Sequence, residues 1–290
     1  MIKLTSPAVI QDIMRQNHFQ ASKNFGQNFL ADAHYADKIV DALDINHDDF
    51  VLEIGPGLGA ITQLLAQKAG FVEAVEVDKR IIPILSDILG EFENLTITCA
   101  DILNTDISYL FAKYSDRCQK AYIVSNLPYN ITTPFLMKIA EEQISCDGIL
   151  LMLQQEAAER ILSSCGSKSY GALSVMLQCQ WDTKLLFQVP STVFVPQPQV
   201  NSCVIGLTPK KEPLTAHNFL LFQSLVKNCF MRRRKTMLNA ISAMPNISLS
   251  KDKLTDILQS VGIAPTERCE HLKPEQFVLL ADAIDQEKNH

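Results

Sequence analysis

Asn126-Leu127-Pro128-Tyr129 is a four-residue stretch whose groups suggest a specific reaction. An exocyclic base amine is a poor nucleophile because its lone pair is delocalised into the ring. Carbonyl acceptors that hold its N–H groups draw the lone pair out of the ring plane, and attack on a sulfonium methyl becomes easier. The Asn126 side-chain oxygen and the Leu127 backbone carbonyl are suited to that task. Pro128 has no N–H donor, and its fixed φ stiffens the turn so that the carbonyls point outward. Tyr129 offers a ring on which a flipped-out base can stack. No general base is required, since the alkylated amine is acidic and loses its proton readily.

A second cluster has the residue types of a nucleoside site. Gly55, Gly57 and Gly59 allow close backbone approach to a ligand, because no Cβ intervenes and positive φ is accessible. Their Gly-x-Gly-x-Gly spacing differs from the Gly-x-Gly-x-x-Gly of a pyrophosphate cradle. An acid about 20 residues beyond such a loop, at the end of the second strand, can accept both ribose hydroxyls. Glu76 and Asp78 both satisfy that spacing, and spacing alone leaves the choice open. Asp101, at the next strand end, can accept from an adenine amine. These contacts fit any adenosine-containing cofactor, NAD and S-adenosylmethionine alike.

Alternating strands and helices place these residues. Phe50–Ile54 reads as a strand that stops at Gly55, and a helix follows through Ile61, Leu64, Leu65 and Lys68 to Gly70. Further strands are expected at 72–77, 95–98, 121–125 and 148–153, with helices near 80–89 and 133–142. This order predicts an α/β fold with a mostly parallel sheet covered by helices on both faces. Ligands in such sheets bind beyond the carboxyl ends of the strands. Glu53, Gly55, Glu76, Asp101 and Asn126 all fall at those ends.

Composition narrows the function classes. The chain carries 26 Lys+Arg against 32 Asp+Glu and is 47% hydrophobic, a balance too apolar for disorder. No apolar run approaches the roughly 18 residues of a membrane helix, and the first 19 residues lack a secretory apolar core. The eight cysteines form no Cys-x-x-Cys pair and the histidines are scattered, so neither a metal nor a disulfide framework is expected. The expected location is the cytoplasm, with reduced thiols. Charge is uneven: residues 1–209 hold 14 basic against 23 acidic residues, a net of −9, and 210–290 hold 12 against 9, a net of +3. A twice-prolined linker at 208–213 places the domain boundary at 208/209. Arg232-Arg233-Arg234-Lys235 is the longest run of like charge. It is either a solvated helix face or a phosphate-contacting patch.

Taken in order, these segments resemble the bacterial small-subunit ribosomal RNA adenine dimethyltransferases, the RsmA/KsgA family. The resemblance spans Lys23 to Leu280 and rests on six motifs. They are Lys23-Asn-Phe-Gly-Gln-Asn-Phe-Leu30, Glu53-Ile-Gly-Pro-Gly-Leu-Gly59, Ser125-Asn-Leu-Pro-Tyr-Asn-Ile131, Tyr170-Gly-Ala-Leu-Ser-Val175, Val193-Phe-Val-Pro-Gln-Pro-Gln-Val200 and Phe230-Met-Arg-Arg-Arg-Lys-Thr236. It implies a Rossmann-like class I methyltransferase domain over 1–208 and a smaller helical RNA-binding domain over 209–290. It also implies that Asn28, Leu30, Gly55, Gly57, Glu76, Asp101 and Asn126 bind S-adenosyl-L-methionine, which selects Glu76 over Asp78. Tyr129 and Phe194 would sandwich the target adenine while Asn126 and Leu127 hold its amine and Pro128 stiffens the turn.

The implied substrate is a pair of adjacent adenosines in the loop of the 3′-terminal helix of 16S rRNA, within the small ribosomal subunit or its precursor. Each would receive two methyls. Arg232, Arg233 and Lys235 are expected to contact RNA from an exposed stretch of a helix pair, with Arg234 turned to a domain seam. The chain is expected to act as a monomer, without metal or membrane. Gln155 and Gln199 stand where lysines are common in the family, Asn201 where aspartate is common, and Ser191 where a second proline is common. Three alternatives differ in class. An NAD-dependent oxidoreductase would need a hydride-transfer set and a pyrophosphate loop, and neither is found. A non-catalytic RNA scaffold is disfavoured by the intact Asn-Leu-Pro-Tyr turn. A large-subunit rRNA dimethyltransferase is disfavoured by the tail carrying Phe230 to Thr236.

Overall fold

The computed structural model describes residues 2–22, 25–128 and 130–288. The chain runs α1 (Pro7–Gln16), β1 (Phe29–Leu30), α2 (Ala33–Asp41), β2 (Phe50–Ile54), α3 (Thr62–Lys68), β3 (Phe71–Glu76), α4 (Ile81–Leu89) and β4 (Leu95–Cys99). It continues with α5 (Ile107–Ala112), β5 (Ala121–Asn126), α6 (Thr132–Glu141), β6 (Gly148–Gln154), α7 (Gln155–Leu162), α8 (Ala172–Gln180), β7 (Trp181–Val189), β8 (Phe194–Val195) and β9 (Ser202–Pro209). Then come α9 (Phe219–Met231), α10 (Met237–Ile241), α11 (Lys251–Ser260) and α12 (Pro274–Lys288).

Among the described residues, the large sheet has seven strands in the order β4-β3-β2-β5-β6-β9-β7. Its first five strands are parallel, and β9 joins β6 antiparallel. β2 is buried at every position and β5 is buried through its middle, as expected of strands covered on both faces. The chain steps from β2 outward through β3 to β4, then returns to the other side of β2 to lay down β5 and β6. The topological switch point therefore falls between β2 and β5. Register aligns Ile54 with Val75 and Ser125, and Glu76 with Cys99, so the strand ends form one edge. The expected strands and helices of this region are present, with ends shifted by a residue or so.

Cα packing divides the chain into two compact units. One comprises Met1–Lys138, Ile144–Ala158 and Thr183–Pro209; the other comprises Ile139–Gln143, Glu159–Asp182 and Lys210–His290. The cut between the units falls after Pro209 at the exit of β9, one residue beyond the expected 208/209. The helical unit nevertheless also takes up Glu159–Asp182, which the sequence reading assigned to the first domain. The reason is that α8 buries Val175, Met176 and Leu177 and packs on α9 and α12. Tyr170 stands in that helical core, its hydroxyl donating to the Leu272 carbonyl at 3.0 Å. All eight cysteines are free thiols. Burial pushes Cys146, Cys179, Cys229 and Cys269 up to about 12, which leaves little thiolate at neutral pH. Among the described residues no helix is long and apolar enough to cross a membrane, and no group of three or more His, Cys, Asp or Glu could hold a metal ion.

The basic run lies between two helices, and it differs from expectation in which arginine is tied down. Arg232–Lys235 lie in the turn between α9 and α10 rather than on a helix face. Arg232 Nη1 donates to Asn228 Oδ1 at 2.8 Å. Arg233 donates to the carbonyls of Lys168 at 2.9 Å and Ser167 at 3.3 Å, with Glu270 3.8 Å away. Arg234 and Lys235 are the exposed members. The carbonyls of Ser167 and Lys168 hold the Arg233 guanidinium, so Arg233 is the arginine tied down, and Arg234, expected to turn inward, is exposed.

Candidate cofactor and base site

A cavity of about 280 Å³ opens at the β2–β5 switch point. That is close to the lower end of the ~300–1,000 Å³ typical of small-molecule sites. Its lining includes Asn28, Leu30, Gly55, Gly57, Glu76, Asp101, Asn126, Leu127, Pro128 and Phe194. These are the described residues expected in the cofactor and base sites, brought together from the carboxyl ends of β2, β3, β4 and β5, from β1 and the segment leading into it, and from the start of β8. Tyr129 lies outside the described residues, as do Lys23 and Asn24 of the first motif.

The glycine loop makes the cavity wall. Gly55 has φ +69° and Gly57 φ +56°, in the left-handed region where a side chain strains the backbone. A Cβ on Gly57 would come 2.9 Å from the Phe29 ring, and one on Gly55 would point at the Asn126 carbonyl, 3.9 Å away. The Gly55 N–H is held by the Val75 carbonyl at 2.9 Å, which pins the loop to β3.

Glu76 and Asp78 part company here. Glu76 lines the cavity, accepting from the Asp78 N–H at 2.9 Å and the Gly57 N–H at 3.4 Å. Burial raises its pKa above the ordinary value, against the pull of those backbone donors. Asp78 is not part of the lining and is engaged by Arg80 and Gln27, with the Arg80 bonds the main reason its carboxyl is held below the usual range. Asp101 lines the cavity while capping a short 3₁₀ turn, accepting from the Leu103 N–H and the Asn104 amide at 2.9 Å each.

Asn126 ends β5. Its Nδ2 donates to the Asn28 backbone carbonyl at 3.2 Å, and among the described residues no donor binds its Oδ1. The amide is therefore oriented, nitrogen tethered and oxygen available. Ser125 locks the same strand end by donating to the Ile54 carbonyl at 2.6 Å. Phe194 is 4% exposed and pairs with Leu30 across β1 and β8. Two departures from the family pattern meet beside it: the Ser191 N–H, which a proline would lack, donates to Asn201 Oδ1 at 3.0 Å.

Two contributions to the cavity carry no role in the motifs above. Leu4 and Ile10 reach the cavity from the N-terminal segment; the Ile10 and Ile13 spacing of α1 was the signal available. Glu53 lines the cavity with one carboxyl oxygen buried and unpartnered. Burial raises its pKa to about 8, the Thr62 hydroxyl opposing and the Glu76 charge adding to the rise. An acid with a raised folded pKa holds a proton that the unfolded chain releases. Its contribution to stability is therefore lost as pH rises from about 4.5 to about 8. Glu53→Gln should remove a slope approaching ~1.4 kcal/mol per pH unit in that window. Thermal melts should then show the variant more stable than wild type at pH 8 and little different near pH 5. Parallel pH dependences would refute a protonated Glu53.

The donor set fits S-adenosylmethionine. Glu76 offers acceptors for two ribose hydroxyls, Asp101 an acceptor for an adenine amine, and the glycine loop an open backbone surface. The fold and this site define a class I, S-adenosylmethionine-dependent methyltransferase.

Comparison with known proteins narrows that class. Residues 18–286 match the family model described as Ribosomal RNA adenine dimethylase. The chain is 40% identical over 283 residues to the Ribosomal RNA small subunit methyltransferase A of Bacillus licheniformis, covering 97% of both chains. It is 41% identical over 288 residues to the protein of that name from Lachnoclostridium phytofermentans, covering 99% of each. Among solved structures it is similar to a dimethyladenosine transferase from Plasmodium falciparum, with TM-score 0.70, 26% identity, and coverage of 85% of this chain and 94% of that one. The 23S rRNA methyltransferase ErmE shares the fold, with TM-score 0.64, 24% identity, and coverage of 89% of this chain and 100% of that one. The chain belongs to the ribosomal RNA adenine dimethylase family, and its reaction is dimethylation of rRNA adenine.

Proposed function

We propose that the chain dimethylates the N6 amines of two adjacent adenosines in the loop of the 3′-terminal helix of 16S rRNA, in the cytoplasm during small-subunit assembly. The observation that carries the base chemistry is the tethered amide of Asn126, a residue that lines the cavity together with Glu76 and Phe194. The names of the near full-length relatives favour the small subunit over the large.

S-adenosylmethionine supplies an electrophilic methyl on a sulfonium. Glu76 would grip the ribose, Asp101 the adenine amine, and Gly55, Gly57, Asn28 and Leu30 would line the path of the cofactor. Asn126 Oδ1 and the Leu127 carbonyl would accept the two N–H groups of the target amine, with Pro128 holding the turn. Phe194, with Tyr129, would bracket the base. Incubation with labelled cofactor and undermethylated small subunits, naked 16S rRNA or 23S rRNA tests this reading. Label should map to two adjacent adenosines of the small-subunit RNA. Label confined to 23S rRNA would overturn it.

RNA binding falls to Arg234 and Lys235 more than to the tethered Arg232 and Arg233. Replacing Arg234 and Lys235 by glutamine should flatten the salt dependence of RNA binding by about 0.7–0.9 in log–log slope for each phosphate left without its cation. Cofactor affinity should not change. A slope equal to wild type would return these residues to a solvated surface.

A further inference from the structure

Asp78 is buried to 3% exposure and is not among the residues that line the cavity, although Gln27, which it holds, is. Arg80 donates Nε to its Oδ1 at 2.9 Å and Nη2 to its Oδ2 at 2.7 Å, and Gln27 Nε2 donates to Oδ2 at 2.8 Å. The other end of the Gln27 amide accepts from the Ser22 N–H at 2.8 Å, and the Gln27 N–H donates to the Ser22 carbonyl at 3.3 Å. Arg80 also stacks over the Phe19 ring at 5.0 Å, and that ring lies 6.0 Å from Phe29. Both ends of the Gln27 side chain are thus committed, and the residue after it is Asn28, whose carbonyl receives the Asn126 amide.

A primary carboxamide has two ends of nearly equal size, so its oxygen stays in one direction only while a partner holds the nitrogen. The Asn28 carbonyl does this only if the backbone carrying it is fixed. That backbone enters β1, a two-residue strand, which alone gives little anchorage. Asp78 supplies a second anchor. Only an acceptor-only group can take the guanidinium fork and the glutamine amide together.

We propose that Asp78 is a positioning residue: by gripping Gln27 it fixes the 25–30 segment, from which the Asn28 carbonyl aims the Asn126 oxygen. The proposal rests on the reading of Asn126 as the amine acceptor. It gives the second acid of the Glu-x-Asp pair a task distinct from ribose binding.

The test compares Gln27→Ala, Asp78→Ala, Gln27→Glu and the pair Gln27→Glu with Asp78→Asn. Measurements are kcat at saturating cofactor and RNA, S-adenosylhomocysteine affinity by calorimetry, and amide exchange of the ligand-free protein at Ser22 and Gln27. Displacement of a reacting group by about an ångström can cost ~100-fold, so each single variant should lose about tenfold or more in kcat. Exchange at both amides should quicken, and S-adenosylhomocysteine affinity should fall less than kcat. Gln27→Glu sets two carboxylates together. Adding Asp78→Asn restores a donor–acceptor pair between positions 27 and 78 in the opposite sense, at the loss of one bond of the Arg80 fork, and should recover part of the lost kcat. Wild-type kcat in Gln27→Ala, or a pair as slow as Gln27→Glu alone, would overturn the proposal. Failure of the underlying reading has a separate signature, normal turnover in Asn126→Ala with these exchange rates still raised in the clasp variants.

Discussion

Asn126→Ala should lower the methylation rate about 10²–10³-fold at saturating cofactor. That is the usual cost of removing one preorganised polar group that acts on the charge developing in a transition state. The amide oxygen acts on the amine as its lone pair localises, so the effect belongs in kcat rather than in substrate affinity. Nothing compensates locally: the Leu127 carbonyl would remain as one acceptor for an amine that carries two N–H groups. Asn126→Asp refines the test. It keeps an acceptor, but it replaces the Nδ2 donor with an oxygen facing the Asn28 carbonyl, the partner of the native amide. Repulsion between the two oxygens should turn the side chain and leave the rate well below wild type. Single-turnover methylation of undermethylated small subunits is the measurement. A rate near wild type in Asn126→Ala would remove the carbonyl-acceptor mechanism altogether.

Much of this site is legible in the sequence because its parts sit where regular structure stops. A buried strand ending at glycine or at Asn-Leu-Pro advertises its own carboxyl end, and the four strand ends that carry site residues fall on one edge of a βα succession. The choice between Glu76 and Asp78 is not local. Residues two apart share a strand face, and what separates them is Arg80 and the distant Gln27 claiming Asp78. Pairing of Phe29–Leu30 with Phe194–Val195 is equally hidden, since two-residue strands carry no period. The basic run shows a related limit. Helical spacing lapses across Arg232–Lys235, which signals a turn, but which arginine a turn ties down depends on carbonyls at 167 and 168. Glu53 shows a further limit. Its position at a strand end is plain, whereas its protonation follows from a burial that only the packed sheet creates.

Glu76→Ala should weaken cofactor binding about a hundredfold while leaving RNA affinity alone. Two charge-assisted bonds from a carboxylate to ribose hydroxyls are together worth on the order of 3 kcal/mol, which is roughly two powers of ten in dissociation constant. The buried setting adds a pH signature. Accepting from both hydroxyls requires the ionised carboxylate, and burial has raised the Glu76 pKa above its ordinary 4.5. As pH falls through that raised value the group protonates and the acceptor is lost, so affinity for S-adenosylhomocysteine should decline on the acid side. Glu76→Gln should bind weakly with that decline abolished, because its amide offers one acceptor at every pH. Asp78 cannot stand in, since Arg80 and Gln27 occupy its oxygens. Calorimetric titration across the acid range reads both effects at once. A loss under about threefold in Glu76→Ala, against the ~100-fold expected of two charge-assisted bonds, would mean that the ribose is held elsewhere on the cavity wall.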